Sequence, residues 1–160
     1  HPTCPTCRAP LQATQLTGVA EGVKLARISA LLASLRGECV ILFVQWKTML
    51  RGMRAFLRGR GEKVGVLDGN AAQRAGALAD FAAGGGVLLL CLEDSFAGLH
   101  LPHARHVVFA HALVGDVDRV SLLERQAVAR CVRHGQTGEV HAHSFVVADC
   151  AEEDVWRRTH

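Results

Sequence analysis

The sequence "CVILFVQ", residues 39–45, is an apolar run that ends at an amide side chain, and it indicates the class of fold. A strand that is apolar at every position is buried on both faces, which is typical of a parallel sheet covered by helices. Further short runs predict four more strands: "KVGVLDG" at 63–69, "VLLLCL" at 87–92, "HVVFAH" at 106–111 and "EVHAHSFVV" at 139–147.

Segments with helical spacing separate these runs. The predicted helices cover 25–35, 46–58, 70–81, a stretch from Asp116 or Asp118 towards Arg130, and 151–158. The second has an apolar stripe made of Trp46, Leu50, Met53 and Leu57. Strands that alternate with helices predict an α/β, doubly wound domain with a mostly parallel sheet. In such a domain, ligands meet the loops at the carboxyl ends of the strands.

Composition limits the class of protein. The chain has 160 residues, of which 49% are hydrophobic and 21% charged, so a globular fold with a real core is expected. The net charge of +3 is too small to imply nucleic-acid binding, and 5% aromatic residues argue against base-stacking platforms. No apolar run approaches the about 20 residues of a membrane span. The chain starts at His1, not Met, so we expect a piece of a longer protein.

One spacing stands out in "QAVARCVRHGQ", residues 126–136. Gln126 is followed by Arg130 and then, three residues later, by Arg133 ahead of a Gly-Gln pair. Arginine near a helix C-terminus can simply offset the helix dipole. The complete pattern, however, resembles the sixth motif of SWI/SNF-type superfamily 2 helicase-like ATPases, in the branch of DNA translocases.

The resemblance covers nearly the whole chain. Further stretches similar to that family are "KLARISALL" at 24–32, "VILFVQWKTML" at 40–50 for the fourth motif, "VGVLDGN" at 64–70, "VLLLCLEDSFAGLHL" at 87–101 for the fifth motif, and "AEEDVW" at 151–156. The family's second lobe is RecA-like, in agreement with the α/β pattern. Nuclear localisation is implied by the family alone.

The resemblance implies that two lobes share the binding of ATP. A first RecA-like lobe holds ATP and Mg2+, and this lobe contributes further contacts. Arg133 occupies the place of the arginine finger, and Arg130 that of a second phosphate contact or a helix anchor. Gln126 would hold or sense the nucleotide, and Gly98 and Asp94 of the fifth motif would also contact it. A guanidinium suits developing phosphoryl charge because it donates in one plane and stays protonated.

Several features depart from an intact enzyme. No G-x-x-x-x-G-K-[ST] loop occurs, so the chain resembles half an ATPase and should not hydrolyse ATP alone. Phe96 stands where the family pattern has a small residue, and His100 stands where it has an amide side chain. Ala129 stands where the pattern has Gly or Asp. These departures leave an alternative open, a decayed RecA-like lobe that serves as a non-catalytic interaction module.

The amino end carries "CPTC", Cys4 to Cys7, a spacing that suits two ligands of a Zn2+ ion. A redox pair or plain surface cysteines are the alternatives. Because some SWI/SNF-type translocases of postreplication repair carry a RING finger before the second lobe, residues 1–12 are interpreted as the tail of a truncated RING. Residues 13–21 are then a linker and 22–160 the lobe. A complete RING would recruit a ubiquitin-conjugating enzyme.

Two further sets of polar residues are candidate binding sites, the basic residues of the second predicted helix and the histidines. The basic side chains of the second predicted helix share one face, Lys47, Arg51, Arg54 and Arg58. A solvated face opposite the core is the preferred interpretation, and contact with the backbone of double-stranded DNA is the functional alternative. The histidines at 100, 103, 106, 111, 141 and 143 are read as polar partners at the sheet edge, with metal binding the weaker alternative.

Overall fold

In the computed structural model, residues 19–94, 99–132 and 138–160 are described, with side chains from residue 22 onwards. The helices are α1 (Val19–Ser34), α2 (Lys47–Gly59), α3 (Ala71–Gly84), α4 (Val117–Val128) and α5 (Ala151–Thr159). The strands are β1 (Cys39–Val44), β2 (Val64–Val66), β3 (Gly86–Cys91), β4 (His106–Phe109) and β5 (His141–Ser144). The predicted alternation of strands and helices is confirmed except between β3 and β4, where the described residues contain no helix.

The strands form one sheet in the order β2-β3-β1-β4-β5, and every neighbouring pair is parallel. β1 lies in the centre, with Cys39 opposite Gly86 of β3 and Val40 opposite His106 of β4. All residues of β1 after Cys39 are buried. The continuous apolar run that predicted a doubly covered strand is therefore the middle of the sheet.

Each face of the sheet carries its own core. Val40, Leu42 and Val44 of β1 point to one face, where α1 and α2 cover them. Ile41 and Phe43 point to the other face, covered by α3 and α4. Since burying a side chain of this size contributes about 1.5–3 kcal/mol, the central strand holds both layers together.

Side-chain caps mark the first residues of α3 and α4. The Asn70 side chain accepts a hydrogen bond from the Gln73 backbone N–H (2.9 Å), and the Gln73 side chain accepts one from the Asn70 N–H (2.9 Å). This capping box begins α3 where the sequence predicted a cap. Asp116 caps α4 by accepting from the Arg119 N–H (2.8 Å), which decides between the two predicted starts.

Trp46 corrects the predicted apolar stripe of α2. Leu50, Met53 and Leu57 are buried as expected, but Trp46 is 38% exposed. It precedes the first helical residue with an extended backbone (φ −114°, ψ 142°), so the helical spacing does not apply to it. Its side chain instead belongs to the loop at the end of β1.

β5 is an edge strand like β2, and it differs from the other strands in that His141, Ala142 and Ser144 are exposed. Hydrogen bonds to the β4 side hold both of its ends. The His141 N–H donates to the Arg105 carbonyl (2.8 Å) and the Phe145 N–H to the Phe109 carbonyl (3.0 Å). Among the described residues, no helix has the length and apolarity needed to cross a membrane.

Candidate functional site at the carboxyl edge of the sheet

Because the strands are parallel, the residues that follow β1, β3 and β4 meet at one edge. Gln45 follows β1, Asp94 comes shortly after β3, and His111 comes shortly after β4. The chemistry of this edge is therefore set by three loops from the centre of the sheet.

Gln45 joins two of these loops. Its side-chain N–H donates to the Val114 carbonyl (2.7 Å), and its side-chain oxygen accepts from the Val114 N–H (2.7 Å). The Gln45 backbone N–H donates to Nε2 of His111 (3.0 Å). With Gln45 7% exposed, this buried amide connects the two loops through one donated and one accepted hydrogen bond.

The tautomer of His111 follows from these contacts. Nε2 accepts from Gln45, so Nδ1 carries the hydrogen and donates to the Ala112 carbonyl (2.9 Å). Burial lowers the pKa of His111, which favours the neutral ring. The Trp46 indole stacks on this ring with centroids 5.4 Å apart and planes within 1°. His111 is thus a polar partner at the sheet edge, as the preferred sequence interpretation has it.

Lys47 and Asp94 form an ion pair of 2.5 Å across this edge. Hydrogen bonding to Asp94 raises the pKa of Lys47. The pair joins the start of α2, in the fourth-motif segment, to the loop after β3, in the fifth-motif segment. The Lys47 side chain is 61% exposed, so solvent screens the pair and its contribution to stability is small. The contact places a predicted DNA-binding residue beside a predicted nucleotide-binding one.

The remaining basic residues of α2 line its solvent side. Arg51, Arg54 and Arg58 are exposed, opposite the buried Leu50 and Met53. The helix contains no acidic residue. Within the described ranges, these three arginines form no ion pair, so their charge faces solvent.

The sixth-motif residues lie at the end of α4. Gln126 is exposed and Arg130 is half-buried. The Arg130 carbonyl accepts from the Leu101 N–H (3.0 Å), which attaches the end of the helix to the segment leading into β4. Arg133, Gly98 and the Cys4–Cys7 pair fall outside the described residues.

Glu152 at the start of α5 is a connector that the sequence did not single out. Its carboxylate forms an ion pair with Lys24 of α1 and accepts from the N–H groups of Ala112 (2.9 Å) and Val147 (3.1 Å). Burial alone would raise the pKa of Glu152, but these donors outweigh it and leave the pKa below its usual value. Lys24 and Glu152 lie in two segments that resemble the family, "KLARISALL" and "AEEDVW", and the fold brings these distant segments together.

Metal binding by the histidines receives no support. In residues 22–94, 99–132 and 138–160, no group of three or more His, Cys, Asp or Glu side chains is arranged to hold a metal ion. His106 contacts both His141 and His143, whereas His111 lies at the other end of β4.

The model of the helicase conserved C-terminal domain matches residues 23–135, which is most of the chain. The chain belongs to this family. Its relatives in sequence and structure support the resemblance to the C-terminal RecA-like lobe of SWI/SNF-type superfamily 2 ATPases, as the motifs predicted.

Relatives in sequence include the DNA (cytosine-5-)-methyltransferase DMT5 of Cryptococcus neoformans, 34% identical over 148 residues, which cover 86% of this chain and 6% of DMT5. The DNA repair protein RAD5 of Saccharomyces cerevisiae is 29% identical over 186 residues, covering 96% of this chain and 16% of RAD5. The chain thus spans only a small part of these curated relatives.

Solved structures share the fold. The C-terminal part of the Fun30 ATPase domain superimposes with a TM-score of 0.73 at 20% identity, covering 93% of this chain and 48% of that one. The C-terminal domain of Dbp5 from S. cerevisiae gives a TM-score of 0.62 at 20% identity, covering 84% of this chain and 75% of the other. The predicted RecA-like architecture is confirmed.

Proposed function

We propose that this lobe works in an ATP-dependent translocase that moves along double-stranded DNA. A first RecA-like lobe holds ATP and Mg2+, and this lobe supplies Arg133 as the arginine finger and Arg130 as a second contact. Gln126, Gly98 and Asp94 complete the nucleotide contacts. Membership in the helicase C-terminal family supports this division, since the chain has no phosphate-binding loop of its own.

The observation that carries the DNA part of the proposal is the arrangement of α2. Lys47, Arg51, Arg54 and Arg58 are exposed on a helix without acidic residues, while its opposite side is anchored in the core. A rigid row of cations suits a phosphate backbone, whose recognition is electrostatic and independent of sequence. Lys47 stands at the carboxyl edge beside Asp94, so DNA contact and nucleotide contact are neighbours in this arrangement.

The proposal extends to the domain arrangement. Residues 1–12 are the tail of a RING finger in which Cys4 and Cys7 bind Zn2+, residues 13–21 are a linker, and residues 22–160 are the lobe. A complete RING recruits a ubiquitin-conjugating enzyme, and the parent protein acts in the nucleus. The similarity to a protein named for DNA repair supports this placement.

The DNA contact can be tested with this chain. Replacing Arg51, Arg54 and Arg58 by Ala should weaken binding to a labelled DNA duplex. It should also reduce the slope of log K against log salt by about 2–3 between about 50 and 200 mM, because each lost phosphate contact removes about 0.9. Fluorescence anisotropy measures both quantities.

The matched control removes the same charge elsewhere, with Arg27, Arg36 and Arg119 changed to Ala. These arginines are exposed and form no ion pair within the described residues. If both triple variants bind alike, the basic face of α2 is a solvated surface and the DNA contact proposed for it is wrong. A wild-type chain that binds no duplex even at low salt would favour the non-catalytic interaction module.

A further inference from the structure

Three imidazoles gather where β4 pairs with the marginal strand β5. His106 is opposite His141 in the register and Val108 is opposite His143, so all three side chains project from the same face of the sheet. The His106 ring stacks on His141 at a centroid distance of 5.2 Å and on His143 at 5.4 Å. We call these three residues the histidine cluster.

Hydrogen bonding inside the cluster limits how many protons it can hold. Nδ1 of His106 lies 3.2 Å from Nε2 of His143, and Nε2 of His106 lies 3.4 Å from Oε2 of Glu38. Glu38 favours a hydrogen on Nε2 of His106. With both rings neutral, Nδ1 of His106 then accepts from His143. One added proton keeps an N–H···N bond, but a second places two N–H groups face to face.

The surroundings offer little compensation for a second charge. His106 is 9% exposed, and Glu38, just before β1, is the acidic group that faces the cluster. Among the described residues, the hydrogen bonds, ion pairs and ring contacts of these rings involve only one another and Glu38. Burial lowers the pKa of His143, and the neighbouring rings His106 and His141 lower it further.

We propose that the histidine cluster attaches β5 to β4 and that this attachment is weakened by protonation. At neutral pH the His106–His143 hydrogen bond and the ring stacking hold β5 against β4. Uptake of a second proton breaks that bond and adds repulsion between stacked imidazolium rings, so β5 separates locally from β4. This inference is independent of the DNA and nucleotide proposals.

Linkage between proton binding and the opening of β5 decides whether low pH stabilises or destabilises the attachment of β5. When the folded state lowers the pKa of a histidine, the open state binds more protons as the pH falls. The stabilisation is complete above the ordinary pKa of 6.5 and is lost as the pH falls from there through the lowered value. β5 directly follows the sixth-motif segment, so its loosening would release the chain on one side of that segment.

Hydrogen–deuterium exchange of this chain at about pH 7.5 and about pH 5.5, corrected for intrinsic exchange rates, tests the proposal. Protection of the 141–145 amides should fall about threefold or more at the lower pH, while β1 and β3 stay protected. Each extra proton taken up on opening contributes up to about tenfold per pH unit. Equal protection of β5 at both pH values would overturn the proposal.

Variants assign the effect to the cluster. His143→Gln should remove most of the pH dependence at β5. His103→Gln, an exposed histidine with no contact to the cluster, should leave it unchanged. His111 also has a lowered pKa, but it is present in both variants and its effect cancels in their comparison. A β5 response that survives His143→Gln undiminished refutes the assignment.

A second measurement covers the case in which His143→Gln does not fold. An NMR pH titration of the wild-type chain should then show the His143 imidazole taking up a proton below the ordinary pKa of histidine, together with loss of the β5 amide signals. Protonation of His143 that leaves the β5 amide signals in place would contradict the proposal.

Discussion

Glu152→Ala should destabilise the lobe by about 3 kcal/mol. The carboxylate is the common acceptor for Lys24 and for the N–H groups of Ala112 and Val147. Removing one partner of a buried ion pair costs about 3–5 kcal/mol, and hydrogen bonds to charged groups contribute about 1.5–3 kcal/mol each. Because the Lys24 and Glu152 side chains keep 15% and 18% exposure, we expect the lower end.

Urea unfolding at pH 7, followed by circular dichroism, measures this loss. Glu152→Gln should cost roughly half as much, since a neutral amide keeps one acceptor oxygen but loses the charge. Glu139→Gln, at an exposed carboxylate, is the control and should change stability by less than about 0.5 kcal/mol.

The pH dependence supplies a second check. The pKa of Glu152 lies below its ordinary value of 4.5, so its stabilisation is present above that value and is lost as the pH falls through the lowered pKa. The difference between wild type and Glu152→Gln should therefore shrink in acid. If Glu152→Ala unfolds within about 0.5 kcal/mol of wild type at pH 7, Glu152 is not the connector that its contacts indicate.

Three further outcomes are expected. The isolated chain should show no ATP turnover with or without DNA in a phosphate-release assay, and turnover above a buffer control would refute its role as half an enzyme. The chain should keep its thermal transition in the presence of a chelator, because its core lies within residues 22–158; loss of the transition would show that zinc is needed for folding. In the assembled parent protein, Arg133→Ala should lower DNA-stimulated turnover by roughly 10³ or more with a much smaller change in ATP affinity, and Arg133→Lys should restore little. Turnover within a few-fold of the parent would favour the decayed module.

The central part of the fold was predictable because its signals are local. The apolar runs of β1, β3 and β4 are buried at nearly every position, and Asn70 caps α3 as its neighbours in sequence suggest. Trp46 was misassigned because helical spacing was extended one residue beyond the start of α2, into backbone that is not helical.

The connections across the site were not predictable from local pattern. Lys24 and Glu152 are 128 positions apart, and Gln45 reaches a loop 69 positions away. His106 joins His143 only through the register of β4 and β5. Such contacts depend on the order of strands in the sheet, which spacing within one segment does not encode. The sixth and fifth motifs are identified by resemblance alone. The roles assigned to their residues stay predictions: Gln126, Arg130, Arg133, Asp94 and Gly98.

The two edge strands of the sheet, β2 and β5, affect how readily the protein self-associates in concentrated solution. β2 has three residues and β5 has four, and three of the four β5 residues are polar. A short, polar edge strand gives a neighbouring chain few backbone groups to pair with, which is how natural sheets avoid edge-to-edge addition of strands. The long apolar strands that would template aggregation, β1 and β3, each have a partner on both sides. Self-association through strand addition is therefore disfavoured at both edge strands.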